Sequence, residues 1–405
     1  MEDARATIEA IARESYVRLI AYLAARTRDM AGSEDALGEA LLAALETWPG
    51  NGVPHKPEAW LLTTARRRLI DRARHEQVRT ASASMLQLIA EEFGAAAAPD
   101  PFPDERLKLL FVCAHPAIDA SVRTPLMLQS VLGLDAARIA QAFLVSPTTM
   151  GQRLVRAKAK IRDAGIAFEV PEERELPQRL DAVLEAIYAA YGNGWEDAAG
   201  ADPRRHGLAD EAIQLTRLLV QQLPREPEAR GLLALMLHCE ARRPARRTRD
   251  GHYVPLTEQD TQLWLMPMIE EAERELAVAA KLERIGRFQF EAAIQSVHAE
   301  RAHSGQTDWI AIASFYESLV RFAPTLGAQI GRAAAIAEVN GPEAGLALLN
   351  EIEPAAVAAY QPYWAVRAHL LKKLARETEV SKAFDRAIGL SEDEAVRRFL
   401  LEQRG

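Results

Sequence analysis

The chain has 405 residues, 49% apolar and 26% charged, so it is a globular chain that calls for two to four domains rather than one core. Its net charge of −8 excludes a wholesale basic coat for nucleic acid, yet the charge is segregated: residues 1–165 sum to +1 and residues 166–405 to −9. The two cysteines, Cys113 and Cys239, lie too far apart to form a disulfide framework. The N-terminus MEDARATIEA lacks the basic and apolar regions of a signal peptide, and no apolar run approaches a membrane span, so the expected location is cytoplasmic, with no membrane partner.

Helical periodicity fills nearly every segment, and strand-like alternation is almost absent. Residues 1–80 predict three or four helices, broken at Trp48–Pro57 by WPGNGVPHKP. The helix that follows places Trp60, Leu61 and Leu62 on a core face. It continues into ARRRLIDRARHEQVR (Ala65–Arg79), with six arginines against Asp71 and Glu76. The polar loop just before it holds Asn51, His55 and Lys56. Amide, imidazole and ammonium groups beside an arginine-rich helix can hold a flipped base and its backbone; taken alone, the cluster reads more readily as a solvated face. Residues 81–104 are rich in Ala and Pro and poor in large apolar residues, and they read as a linker. Helices resume over 105–166, and Pro171 and Pro177 mark a second boundary.

The most informative stretch is LDAARIAQAFLVSPTTMGQRLVRAKAKIR, residues 134–162. Asp135 is placed to cap a short helix with Ile139 and Phe143 on its buried face and Ala140 small enough for close approach. Leu144 and Val145 form a turn, and Ser146 caps a second helix whose first residue is Pro147. Two short helices joined this way make a helix-turn-helix. On the second helix Met150, Leu154, Ala157 and Ile161 share a core face, whereas Thr148, Gln152 and Arg156 point the opposite way, flanked by Thr149, Arg153 and Lys160. Five basic residues and no acidic one fall between Ser146 and Arg162. A recognition helix needs this combination of apolar back, hydrogen-bonding front and cations for phosphates.

In the remainder, Leu218–Pro224, Leu319–Pro324 and Phe384–Ser391 each end one helix and precede another. Their ends fall 100 and 67 residues apart, near three and two times the 34-residue tetratricopeptide period. Helical hairpins of that type are expected, with an irregular bundle as the alternative. Cys113 and His115 are too few ligands for a zinc site, and none of the common enzyme signatures occurs, so neither metal, cofactor nor catalytic residue is expected. Trp264, Trp309 and Trp364 read as packing residues. The run RRPARRTR (Arg242–Arg249) reads as a connector or as a contact to nucleic acid or a partner.

In order and spacing these features resemble the extracytoplasmic-function sigma factors of bacterial RNA polymerase. SEDALGEALLAALETW (33–48) resembles region 2.2, PEAWLLTTARRRLIDRAR (57–74) regions 2.3 and 2.4, and residues 104–161 region 4. Residues 232–264 and 307–352 resemble the subgroup with a C-terminal tetratricopeptide-like extension. The resemblance implies an all-α protein: a region 2 domain (1–80), a linker (81–104), a region 4 helix-turn-helix domain (105–166) and a larger helical domain (171–405). It implies core RNA polymerase, through the β′ clamp helices and the β flap, and promoter DNA as partners. Asp35, Leu37, Glu39 and Leu41 would contact the polymerase. Asn51, His55, Lys56, Arg66, Arg67, Arg68, Arg72 and Arg74 would serve the −10 element. Thr148, Thr149, Gln152, Arg153, Arg156 and Lys160 would serve the −35 element. The linker, with Glu91, Glu92, Asp100 and Asp104, would thread the polymerase. The chain departs from the family at Arg67, where an Asn is common, and at Gly192–Trp195 (GNGW), where the subgroup often has N-E-G-Y. The acidic extension would regulate or complete polymerase binding in cis, one route being to fold onto the sigma domains. The alternatives are a stand-alone helix-turn-helix regulator with a helical sensor domain, which leaves 33–74 without a purpose, and an interaction scaffold.

Overall fold

Every regular element among the described residues is helical, apart from an isolated antiparallel bridge between Arg247 and Tyr253. The structure, a computed structural model, describes residues 2–80, 104–143, 145–172, 174–196 and 208–404. The expected linker thus falls, but for Asp104, outside the described residues. The chain divides into two compact units, Met1–Ala190 and Tyr191–Gly405. The boundary expected at Pro171 and Pro177 lies inside the first unit. Pro177 sits in the first turn of a helix, Leu176–Glu196, where a missing N–H costs nothing. That helix also runs through Gly192–Trp195.

In the first unit α1 (Glu2–Glu14), α2 (Tyr16–Thr27), α3 (Met30–Asn51) and α4 (Pro57–Thr80) share one core. Asp29 caps α3 by accepting the Gly32 N–H, and Ala36, Leu37, Ala40, Ala44 and Trp48 form its buried stripe at helical spacing. The helix runs a few residues into the expected break, carrying Pro49 in its last turn, and the break itself, at 52–56, lies within the expected stretch. It stops at Gly52, whose φ of 84° suits only glycine comfortably and whose N–H returns to the Trp48 carbonyl. Trp48 meets Trp60 edge to face at 5.4 Å, which fixes α3 against α4. Next come α5 (Arg106–Cys113), α6 (Ala120–Ser130), α7 (Ala136–Ala142) and α8 (Pro147–Asp163). Helix α5 is apolar nearly all round, and Leu109 through Cys113 are fully buried. Each such large side chain removed from water contributes about 1.5–3 kcal/mol. Helix α5 packs on α2, where Arg26 lies 3.7 Å from Glu105. Asp104 is buried enough to push its carboxyl up, yet the two-pronged Arg106 guanidinium outweighs this and holds it below the usual range.

With Leu176–Glu196 as α9, the second unit contains α10 (Leu208–Gln222), α11 (Pro227–Ala241), α12 (Met266–Lys281), α13 (Arg287–Ala299) and α14 (Trp309–Phe322). It continues with α15 (Leu326–Asn340), α16 (Pro342–Asn350), α17 (Gln361–Lys373), α18 (Glu377–Leu390) and α19 (Glu394–Arg404). Packing is mostly between chain neighbours, α11 on α12 and α13, α14 on α15, α17 on α18. Gly231 lets α11 approach α13: a Cβ there would stand 2.7 Å from the Gln289 backbone nitrogen. The basic run 242–249 is engaged within this unit. Arg242 is buried, Arg243 pairs with Glu240, and Arg247 reaches Asp393 at 2.6 Å.

Two buried imidazoles make this unit acid-sensitive. Burial, helped by the nearby Arg242 charge, pushes His238 down to about 3 and His298 to about 4. Both stay neutral in the folded chain, whereas an unfolded histidine protonates near pH 6.5. The stability they allow is therefore complete above about pH 6.5 and is lost as pH falls toward 4, at about 1.4 kcal/mol per pH unit for each imidazole. Urea midpoints of the second unit, followed by hydrogen exchange at pH 7, 6 and 5, should fall accordingly, and His238→Gln should flatten the trend. An unchanged midpoint over this range would contradict it.

Candidate nucleic-acid interface

The helix-turn-helix forms from local signals. Asp135 caps α7 by accepting the Arg138 N–H at 2.9 Å, and Ile139 and Ala140 are buried. Ser146 caps α8 by accepting the Thr149 N–H, with Pro147 first in the helix. Met150, Leu154, Ala157 and Ile161 are all buried, and α8 packs on α6 and α7. Phe143 corrects the expectation of a buried face: α7 ends at Ala142, and Phe143, in the turn, is 37% exposed. Leu144 lies outside the described residues. Losing the cap in Ser146→Ala should cost about 1 kcal/mol, read as faster hydrogen exchange in the first turn of α8.

Thr148, Gln152, Arg156 and Lys160 are exposed along one side of α8, and Arg153 and Thr149 are half-buried beside them. The Thr149 hydroxyl is engaged with Ser146 Oγ at 2.8 Å, and Arg156 Nε donates to the Gln152 carbonyl. Val155, 67% exposed, adds an apolar group to this side that pattern reading missed, although its place between Gln152 and Arg156 was visible in the sequence. Lys158, one of the five basic residues of this stretch, lies off the exposed side. It is buried, and its ammonium donates to both carboxylate oxygens of Glu34 on α3, at 2.6 and 2.7 Å.

Helices α3 and α4 meet along a charged seam. Arg72 reaches Asp35 at 3.1 Å and Glu39 at 2.8 Å, and Arg68 approaches Glu39 at 3.5 Å. These bonds outweigh the partial desolvation of the guanidinium and hold Arg72 more firmly protonated. The structure thus brings together two carboxylates assigned to one partner and two arginines assigned to another. Arg74 pairs with Asp71 at 3.8 Å on an exposed face, which contributes little. Arg66 is half-buried, and Arg67 is exposed with no ion pair among the described residues.

Leu37 is not at the surface. Two residues on from Asp35 is about 200° round a helix, and Leu37 is fully buried in the core, with Leu41 half-buried against it. The exposed apolar residues of α3 are Leu42 and Leu45, at 61% and 44%. They fall outside the stripe Ala36–Ala40–Ala44–Trp48, a signal the sequence carried. Asn51, His55 and Lys56 are exposed in and beside the loop between α3 and α4. His55 and Lys56 border a cleft of about 320 Å³ shared with Thr7, Glu14, Ser15 and Glu58, and Ser15 Oγ bonds the Glu58 carboxylate.

Among the described residues no group of three or more His, Cys, Asp or Glu is placed to hold a metal, and no helix is long and apolar enough to cross a membrane. Cys113 is fully buried, which pushes its thiol well above the ordinary range, and His115 Nδ1 accepts the Ala117 N–H.

Comparison with known proteins bears on this geometry at two places. Residues 12–79, spanning α2 to α4 and the seam, match sigma-70 region 2, and residues 179–280 match a family of unknown function, DUF6596. No solved structure matches the chain. An uncharacterized protein of Rhizobium meliloti is 38% identical over 381 residues, covering 93% of this chain and 90% of that protein. The region 2 match supports a sigma-factor role in transcription initiation, in a family that is not enzymatic and whose members bind core RNA polymerase and promoter DNA. The chain belongs to the same family as the Rhizobium meliloti protein, and its residues 12–79 are a sigma-70 region 2 domain.

Proposed function

We propose that the chain is a sigma factor of the extracytoplasmic-function type that directs core RNA polymerase to promoters with −10 and −35 elements. The observation that carries this reading is the region 2 match over the α2–α4 bundle, followed in the chain by a helix-turn-helix whose second helix has a polar, basic exposed side. On this reading Leu42 and Leu45, beside Asp35, Glu39 and Leu41, meet the β′ clamp helices, with Leu37 supporting them from the core. Asn51, His55 and Lys56 take an unstacked −10 base, and Arg66, Arg67 and Arg74 take phosphates. Arg68 and Arg72 join them only on leaving Glu39 and Asp35. Helix α8 reads the −35 element through Thr148, Gln152, Arg153 and Arg156, with Lys160 on a phosphate. Thr149 chiefly serves the cap. Residues 81–104 thread the polymerase, and the β flap takes the region 4 domain. The second unit is read as tetratricopeptide-like repeats that regulate or complete polymerase binding in cis; neighbour-to-neighbour helix packing supports that reading.

Co-migration with bacterial core RNA polymerase on gel filtration tests the proposal. The full-length chain should shift into the polymerase peak, and Leu42→Glu/Leu45→Glu should not. Failure of the unaltered chain to bind core polymerase would overturn it.

A further inference from the structure

A recess of about 1030 Å³ opens in the second unit where α12, α13, α14 and α15 converge. Four carboxylates stand on its polar wall: Glu273 comes from α12, Glu300 follows α13, Asp308 caps α14, and Glu338 lies near the end of α15. No lysine or arginine lines it among the described residues. Lys373 neutralises Glu338 at 2.8 Å, and Asp308 Oδ1 accepts the Ala311 N–H. Glu300 is exposed and makes no ion pair among the described residues. Among the described residues Glu273 meets only His238 Nε2 at 3.3 Å, off the hydrogen-bonding direction, and that buried imidazole carries no charge at neutral pH. His298, edge-on to Trp309 at 5.5 Å, is likewise uncharged. Glu273, Glu300 and Asp308 therefore face the recess with no lysine or arginine paired to them among the described residues, within a segment whose net charge is −9 over residues 166–405.

Ser296, His303, Ser304, Gln306 and Thr307 complete the polar lining, and part of the wall is apolar and open to water. Ile310 is 72% exposed and Val339 38%, with Trp309 half-buried between the acidic groups and the core. We propose that this recess is a docking site for a basic peptide segment in which lysine or arginine alternates with apolar residues. The basic side chains would meet Glu273, Glu300 and Asp308, with one cation able to rest on the Trp309 face. The apolar side chains would cover Ile310 and Val339. A small polyamine would satisfy the carboxylates but leave that apolar wall in water. The site is independent of the sigma-factor reading, and promoter-directed transcription neither requires nor excludes it.

Fluorescence anisotropy with labelled heptapeptides of alternating lysine and leucine, or of alternating glutamate and leucine, tests the site on the full-length protein. The lysine peptide should bind and the glutamate peptide should not. Glu300→Lys should weaken binding about tenfold, and Ile310→Ser should weaken it as well. Glu351→Lys, an exposed charge change outside the recess, should leave it within about twofold. Both tested recess side chains are exposed, so circular dichroism should show all variants folded. The proposal is overturned if the lysine peptide does not bind, if Glu300→Lys and Glu351→Lys weaken it equally, or if spermine displaces it at equal concentration.

Discussion

Replacing Lys158 by Met should loosen the contact between α8 and α3 by about 2 kcal/mol. The ammonium is 9% exposed and the Glu34 carboxylate 26%, so removing one partner leaves a carboxylate that is only partly reached by water. A fully buried pair would cost more, and an exposed one almost nothing. The expected readout is amide exchange about 30-fold faster in peptides from α3 and α8, the same free energy expressed as a ratio. Glu34→Lys should do the same by setting two ammonium groups against each other, and the exchanged pair Glu34→Lys/Lys158→Glu should recover most of the protection. Equal exchange in all four proteins would show that the pair holds nothing.

The pair matters for the proposed function because −10 and −35 elements lie about 25 base pairs, or about 85 Å, apart along B-form DNA. Helices packed through a 2.6 Å ion pair cannot reach both elements at once. On the proposed function a promoter-bound form therefore has to break Lys158 from Glu34, and Asp35 and Glu39, the carboxylate partners of Arg72 on α4, stand on the same helix α3 as Glu34.

The second large effect is expected on the exposed side of α8. Gln152→Ala and Arg156→Ala each remove a side chain able to make a two-pronged base contact, which contributes about 1–3 kcal/mol of discrimination. Transcription from a promoter with its −35 element intact should fall about 10-fold or more for each, while output from a template with a scrambled −35 element should barely change. Lys160→Ala should instead weaken DNA binding on both templates alike and flatten its salt dependence, as a lost phosphate contact does. Because Gln152 and Arg156 are exposed, unfolding free energy should move by less than about 0.5 kcal/mol. Equal losses on both templates for Gln152→Ala would remove the base-reading role.

What was legible in the sequence was what is local along it. Asp135 and Ser146 with Pro147 are capping signals written within four residues of the groups they satisfy, and both caps form. The apolar back of α8 is set by spacing alone and is buried as expected. The misassigned residues fail for two different reasons. Phe143 has the right spacing for the α7 core face, but the helix ends one residue earlier, so the turn carries it outward. Leu37 was grouped with Asp35 by proximity in sequence, although helical geometry sets it on the opposite side. The ion pairs were out of reach: Lys158 and Glu34 are 124 residues apart, and Arg72 and Asp35 are 37 apart. A sequence gives each residue's charge but not which opposite charge tertiary packing will set beside it. The recess of the second unit draws on four helices and was hidden for the same reason.

The most direct measurement is run-off transcription with purified bacterial core polymerase and the full-length protein, on templates carrying candidate −10 and −35 elements. A transcript that requires the protein and both elements is the expected result. Absence of any protein-dependent transcript, together with tight binding of the protein to the same duplexes without polymerase, would contradict the account and leave a stand-alone DNA-binding protein in its place.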